Sequence, residues 1–175
     1  MLKISLPITP VLLMAVMLTA QAKKASQQQT IFFEGDKCFE HSSPLSADVL
    51  RVLLETREGK GALENSGDLD AAARMFRAVE VHLANQEQID LLVEGVFPLT
   101  GADQGWFWVV RSARHNPQVV LFATGNSLEL LDIRTNGYRN IRSRWSSPSQ
   151  TRTRLYRFKN QEYELEDEKR TENRP

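Results

Sequence analysis

The sequence predicts a mainly β protein, with an antiparallel sheet body of about eight short strands in two blade-like repeats behind a short N-terminal helical region. Three observations lead to this prediction. Short runs of alternating polarity follow one another from residue 77 onward, turn residues separate them, and an amphipathic segment precedes them. An α+β fold is the alternative, because the segment DAAARMF before the first run could extend as a helix.

The first residues of the chain predict an export signal. Lys3 precedes an apolar run over 6–20, and Ala20-Gln21-Ala22 fits the small-x-small cleavage pattern. The apolar run is short for a membrane span, and the alternatives are a short buried helix or an uncleaved anchor. We therefore expect an exported protein, periplasmic or extracellular, with no membrane span after signal removal. The expected parts are a signal peptide (1–22), a flexible leader (23–30), a single globular domain (31–165) and a charged disordered tail (166–175).

The charge balance and the cysteine content of the chain exclude few classes of protein. The chain has 22 Lys and Arg residues and 22 Asp and Glu residues, so its net charge does not indicate a particular partner. Nucleic acid is a poor candidate for an exported protein whose charges balance. Cys38 is the one cysteine, which excludes an internal disulfide and leaves a free, buried or intermolecular thiol. A nucleophilic pair with His41 is conceivable, but no family signature surrounds Cys38.

The N-terminal half of the mature chain begins with a short strand in TIFFEGDKCFEH. SPLSADVLRVLLET predicts a helix, because Ser46 suits its N-cap and apolar residues recur at helical spacing. This helix should cover one side of a sheet. REGKGALENSGDLD, with its three glycines, predicts a loop.

Eight strand-like runs then follow in order. They are RAVEVHLA, IDLLVEG, GWFWVVRS, QVVLFAT, SLELLDI, YRNIRSRW, TRTRLYRF and QEYELE. GWFWVV is apolar on both faces, which predicts a central strand covered on both sides, or else an aromatic binding patch that includes Trp106.

The runs form two sets of four at a constant offset of about 50, a period typical of blade-like units. At this offset Asp90 matches Asn140, Trp106 matches Tyr156, and Trp108 matches Phe158. Within the second set, DIRTNGYRN resembles the strand–Asp-loop–strand signature of FG-GAP-type β-propeller repeats. The resemblance implies blade-like sheets that pack face to face, since two blades cannot close a propeller ring.

The same loop raises the question of calcium. Asp132, Asn136 and Asn140 stand at ligand positions, but Asp132 is the one carboxylate and Arg134 places a cation at another ligand position. We therefore predict no metal and no cofactor. The loop should be a tight turn in which Gly137 has positive φ and the Asn and Asp side chains bond their own backbone.

Basic residues concentrate between 134 and 159, a stretch without Asp or Glu. If the two strands around SSPSQ form a hairpin, we expect Arg142, Arg144, Arg152 and Arg154 to project from one side, with Ile141 and Leu155 pointing toward the core. Arginine forks suit carboxylates and phosphates. The alternative is that these are solvated strand faces paired with the acidic segment EYELEDE.

Two functions remain open at this point. The first is a non-enzymatic binding protein of the cell envelope, inhibitor-like or immunity-like, that binds an acidic protein or an anionic envelope polymer through the arginines and Trp106. On this interpretation there are no catalytic residues. The second is a small envelope hydrolase whose site is assembled from dispersed residues such as Asp90, His82 and Glu80.

Overall fold

The computed structural model describes residues 30–40, 44–85, 87–100 and 104–173. Within these ranges the chain forms four short helices and nine strands, and the strands make two antiparallel sheets. The predicted mainly β fold with a short N-terminal helical region is confirmed. The predicted signal peptide and all of the leader except Thr30 lie outside the described residues.

Four helices precede the second strand. Their bounds are α1 Lys37–Glu40, α2 Ala47–Glu55, α3 Lys60–Ser66 and α4 Leu69–Ala73. The predicted amphipathic helix is α2, and Ser46 caps it by accepting a hydrogen bond from the Val49 N–H at 3.3 Å.

The loop predicted for REGKGALENSGDLD is wrong, because α3 and α4 occupy most of it. Of the three glycines that indicated a loop, the last acts as a helix C-cap, and the aspartate that follows it acts as an N-cap. Gly67 ends α3 in the left-handed conformation at φ +75°, and Asp68 begins α4 by accepting a hydrogen bond from Ala71 N–H at 2.7 Å.

The first sheet has the strand order β2-β3-β4-β5, and the second has the order β1-β6-β7-β8-β9. The eight predicted strand runs correspond to β2 to β9, and the predicted leading strand is β1. Their bounds are β1 Ile31–Phe33, β2 Phe76–Val81, β3 Asp90–Gly95, β4 Gly105–Arg111, β5 Gln118–Gly125, β6 Ser127–Thr135, β7 Tyr138–Ser146, β8 Gln150–Lys159 and β9 Glu162–Glu172.

The predicted disordered tail is wrong for residues 166–172, which form the second half of β9. Asp167 to Glu172 pair with the first half of β8. Glu168 accepts hydrogen bonds from Arg154 on β8 at 2.5 Å and from Arg170 on its own strand at 2.8 Å, so charges in this segment have partners both across and along the strands.

The molecule has three layers in the order helices, first sheet, second sheet. One hydrophobic cluster lies between the sheets and contains Leu92 and Phe107 from the first sheet and Leu128 and Ile141 from the second. A second cluster joins the helices to the first sheet through residues such as Leu53.

β4 is a central strand with an apolar cluster on each face, as the sequence predicts. Trp108 points to the helices, where its indole N–H donates to Thr56 Oγ1 at 3.2 Å, and Phe107 points between the sheets. Phe158, fifty positions after Trp108, points from the second sheet toward the first. Trp108 and Phe158 therefore point in the same direction, each away from the outer face of the second sheet. The resemblance to propeller repeats stays a prediction.

Among the described residues, no helix is both long enough and apolar enough to cross a membrane.

Candidate functional site

The β7–β8 hairpin forms as predicted, but its register divides the four arginines between the two faces of the sheet. Arg144 lies opposite Thr153, and Ser143 lies opposite Arg154. Residues directly opposite each other in antiparallel strands share a face, so Arg142 and Arg144 project from one side while Arg152 and Arg154 project from the other.

The prediction of one four-arginine face is therefore wrong, and the reason is the length of the loop. Ser146 pairs with Thr151, which leaves four residues, 147–150, between the strands. An even number of loop residues puts even-numbered residues of one strand beside odd-numbered residues of the other. Ile141 is fully buried, as predicted, whereas Leu155 lies opposite Arg142 and faces outward with it, contrary to the prediction.

Arg142 and Arg144 belong to the outer face of the second sheet, the face that points away from the first sheet. The pairings across the five strands place two rows of residues there. One row contains Ile31, Glu129, Arg142, Leu155 and Asp167, and the other contains Phe33, Ser127, Arg144, Thr153 and Lys169. A shallow concavity of about 530 Å³ covers the β7–β9 part of this face, and Thr151, Thr171 and Asn173 extend its lining.

These two rows carry a small excess of positive charge. Arg142 pairs with Glu129 at 3.1 Å, and Lys169 lies 3.8 Å from Asp167. Arg144 is exposed, and within the described ranges its guanidinium has neither an ion pair nor a hydrogen bond. Within the two rows, three cations therefore face two carboxylates, and one arginine fork is free to bind an anion.

Arg152 and Arg154 lie on the inner side of the same hairpin, and both have partners. Arg154 forms an ion pair with Glu168 at 2.5 Å, and the Arg152 guanidinium lies 5.6 Å from the centre of the Trp145 ring. Hydrogen bonds from Arg154 and Arg170 lower the pKa of Glu168 to about 2. For Arg154, the alternative of pairing with the acidic segment is thus the one that the structure contains.

Trp106 does not join the arginines. Its half-buried ring lies on the helix side of the first sheet, with ring centres 5.6 Å from Phe122 and 6.1 Å from Trp108. It lines a separate cleft of about 530 Å³ whose rim carries charged residues of the α2–α3 region, such as Arg57 and Glu64.

The loop that resembles a calcium site is a two-residue β-turn. Thr135 pairs with Tyr138, and Asn136 and Gly137 between them both have positive φ, at 52° and 84°. This is the combination that a type I′ hairpin turn requires. The expected side-chain bond to the local backbone is wrong for Asn136, whose amide donates instead to the Phe158 carbonyl at 2.9 Å.

The ligand-like side chains of this loop do not converge. The Asp132 side chain is 98% exposed, whereas Asn140 is buried inside β7. The Arg134 guanidinium donates to the carbonyls of Leu83 and Gly137, each at 2.9 Å, and so connects this turn to the β2–β3 connection. Across the described part of the chain, no three His, Cys, Asp or Glu residues are arranged to hold a metal ion.

Asp90, His82 and Glu80, the residues considered for a hydrolase, have separate surroundings. Asp90 is fully buried and accepts three hydrogen bonds. Nδ1 of His82 lies 3.0 Å from the Gln88 carbonyl, and Glu80 lies 3.7 Å from Arg114 beside a cleft of about 300 Å³. The three side chains do not form one constellation.

The structure contains an acidic cleft that the sequence analysis missed. Glu94 lies opposite Arg77 in the first sheet, and the segment after β1 brings Glu34 and Gly35 beside it. These residues line a cleft of about 370 Å³ with Val96, Phe97 and Thr100. The available signal was a glutamate inside the apolar strand run IDLLVEG, where a charge is unexpected.

Burial controls the titration of this cluster. Desolvation raises the pKa of Glu94, and the nearby Glu34 and Asp36 raise it further against the opposing effects of the Gly35 N–H and Arg77. Desolvation also raises the pKa of Glu34 and, with Asp36 and Glu94, the pKa of the Cys38 thiol. A raised thiol pKa disfavours the thiolate, which is the nucleophilic form of cysteine, and the conceivable partner His41 lies outside the described residues.

Comparison with known proteins found no matching family model, no matching curated protein and no matching solved structure.

Proposed function

We propose that this chain is an exported, non-catalytic binding protein of the cell envelope, and that the outer face of its second sheet binds an anionic polymer. The supporting observation is the unpaired Arg144 guanidinium. Arg144 on β7 lies opposite Thr153 on β8, and Thr153 lies opposite Lys169 on β9, so the two cations stand on either side of one threonine. An inhibitor-like or immunity-like role is the form that such binding would take.

The shape and chemistry of the face favour an extended ligand. The concavity runs across β7, β8 and β9, and threonine hydroxyls stand between its cations. Arginine forks bind carboxylate, sulfate and phosphate groups in a bidentate manner, and hydroxyl groups can bond the neutral parts of a chain. A sulfated or carboxylated polysaccharide combines these features, so an acidic glycan is the polymer class that we favour.

The test uses two charge-matched double variants on opposite faces of one sheet. Arg144→Gln with Lys169→Gln removes two positive charges from the outer face, and Arg152→Gln with Arg170→Gln removes two from the inner side, where these residues lie opposite each other. Binding to dextran sulfate is measured by calorimetry at low and high salt, with neutral dextran as the blank.

We expect the outer variant to lose about tenfold in affinity and the inner variant to change little. Binding by the wild type should weaken as salt rises, since screening acts over about 8 Å at physiological ionic strength. Equal losses in both variants would mean that net charge alone drives binding, and the proposed site would be wrong. Tighter binding to poly-glutamate than to dextran sulfate would instead indicate an acidic protein partner.

A small hydrolase is the alternative, and the acidic cleft is the observation that favours it. Two carboxyl groups with raised pKa values, Glu34 and Glu94, line the cleft, and such groups are common in acid–base catalysis. Hydrolysis of model glycosides or esters that disappears in Glu94→Gln would replace the binding proposal. Activity that survives this substitution would not come from the cleft.

A further inference from the structure

The acidic cleft has an unsatisfied acceptor in its wall. Glu94 is 1% exposed, and its Oε1 accepts a hydrogen bond from the Gly35 N–H at 2.5 Å. Its other oxygen, Oε2, is buried and has no hydrogen-bond partner among the described residues. Buried carboxylate oxygens normally have a donor, because leaving one unpaired is costly, so this position calls for a donor group.

The charges around Glu94 favour a cationic donor. Glu34 and Asp36 approach it from the segment after β1, and Arg77 approaches it from β2. On β4 the residue opposite Glu94 is Phe107, which carries no charge, and Cys38 is an uncharged thiol. Of the charged groups that act on Glu94 among the described residues, Arg77 is the one cation and Glu34 and Asp36 are anions, so a second cation beside Glu94 would stabilise its ionised form.

The remaining walls of the cleft are apolar. Val96 and Phe97 line it with Thr100, and Phe97 is 86% exposed, so its side chain is free to cover a ligand. Aromatic faces attract cations, and a volume of about 370 Å³ accommodates a ligand of side-chain size or larger.

We propose that this cleft binds an organic cation whose ammonium or guanidinium group approaches Glu94 and whose aliphatic stem packs against Val96 and Phe97. The proposal concerns a different surface from the outer face of the second sheet. The two can therefore succeed or fail independently.

Binding of the organic cation should be coupled to the release of a proton. Because burial raises the pKa of Glu94, its carboxyl group in the free protein stays neutral to a higher pH than an exposed glutamate does. A bound cation stabilises the ionised form, so binding should release a proton, and affinity should rise as pH rises through the pKa of the free protein.

The experiment uses agmatine, which carries a guanidinium and an ammonium group on one aliphatic chain, with butanediol as the neutral control. Calorimetry in two buffers of different ionisation enthalpy measures affinity and proton release together. The variants are Glu94→Gln, which keeps an acceptor for Gly35, Phe97→Ala, which alters an exposed ring, and Glu64→Gln as a control at an exposed carboxylate on α3.

We expect agmatine, but not butanediol, to bind the wild type and the Glu64 variant with release of a proton. Glu94→Gln should reduce affinity at least about tenfold and abolish the proton release, and Phe97→Ala should reduce affinity without changing the melting temperature. If Glu94→Gln does not fold, the Phe97 variant and the wild-type proton release decide the question. No agmatine binding at millimolar concentration, equal binding of butanediol, or affinity unchanged in the Glu94 and Phe97 variants would overturn the proposal.

Discussion

Asp90 begins β3, and its carboxylate organises the connection from β2. Oδ2 accepts from the Leu83 N–H at 3.0 Å, and Oδ1 accepts from Gln88 Nε2 at 2.7 Å and from the Ser112 N–H at 3.0 Å. The side chain is fully buried, so water does not replace these bonds if one is lost. Replacing Asp90 by Asn keeps the shape and removes one acceptor oxygen.

The expected loss of stability follows from that geometry. If the amide oxygen of Asn takes the place of Oδ1, its NH₂ group faces the Leu83 N–H, and a donor opposes a donor. A buried bond to a charged acceptor contributes roughly 1.5–3 kcal/mol, so Asp90→Asn should destabilise the fold by about 2–3 kcal/mol. For a domain of this size, each kcal/mol lowers the melting temperature by roughly 2–4 °C.

Urea unfolding followed by tryptophan fluorescence measures the change, with the midpoint and slope fitted separately. Asp132→Asn is the matched control, because it makes the same chemical change at a side chain that is 98% exposed and has one ion pair, with Arg139. That variant should lose at most about 1 kcal/mol.

Unfolding of Asp90→Asn at the same urea concentration as the wild type would contradict the expected loss of stability. The variant could also keep full stability but lose a hydrolytic activity. Asp90 would then be a functional carboxylate, and the hydrolase interpretation would regain one of its residues.

Two further predictions concern the calcium-like loop and the N-terminus. Calcium at submillimolar concentration should not raise the melting temperature of the wild type, because the Arg134 guanidinium already donates to the carbonyls there, and a clear calcium-dependent rise would contradict this account. Arg134→Ala should lower the free energy of unfolding by about 1–2 kcal/mol. N-terminal sequencing of the protein recovered from an envelope fraction should read Lys23-Lys24, and an intact Met1 there would contradict the predicted cleavage.

Arg134 departs from the ligand pattern of the calcium-like loop, and the structure gives a physical reason for an arginine at this position. In the sequence it is the residue that breaks a series of oxygen ligands. In the structure its side chain satisfies carbonyl groups from two connections that are 50 residues apart or more, and that pairing depends on how the two sheets meet. Nothing in the local sequence indicates which carbonyls a long side chain will reach.

The candidate sites were predicted less completely than the fold. The basic character of the β7–β8 hairpin was recognisable from composition, and Arg142 and Arg144 do share the outer face. The acidic segment 162–168 was recognisable as an alternative partner, but the individual pairs were not, because Arg154 and Glu168 become neighbours only through the β8–β9 register. Glu94 was missed because its significance depends on the Gly35 N–H, 59 residues away in the chain.

The sequence by itself determined the strands, the amphipathic helix with its Ser46 cap, and the Asn-Gly turn, because side-chain periodicity, capping and positive φ are local properties. Tertiary structure alone decided which face each arginine occupies, since shifting the register by one residue moves every side chain of a strand to the other side. It also decided the ordering of β9 and the burial of Glu94. Both depend on contacts between distant segments, whose energies exist only after the chain has folded.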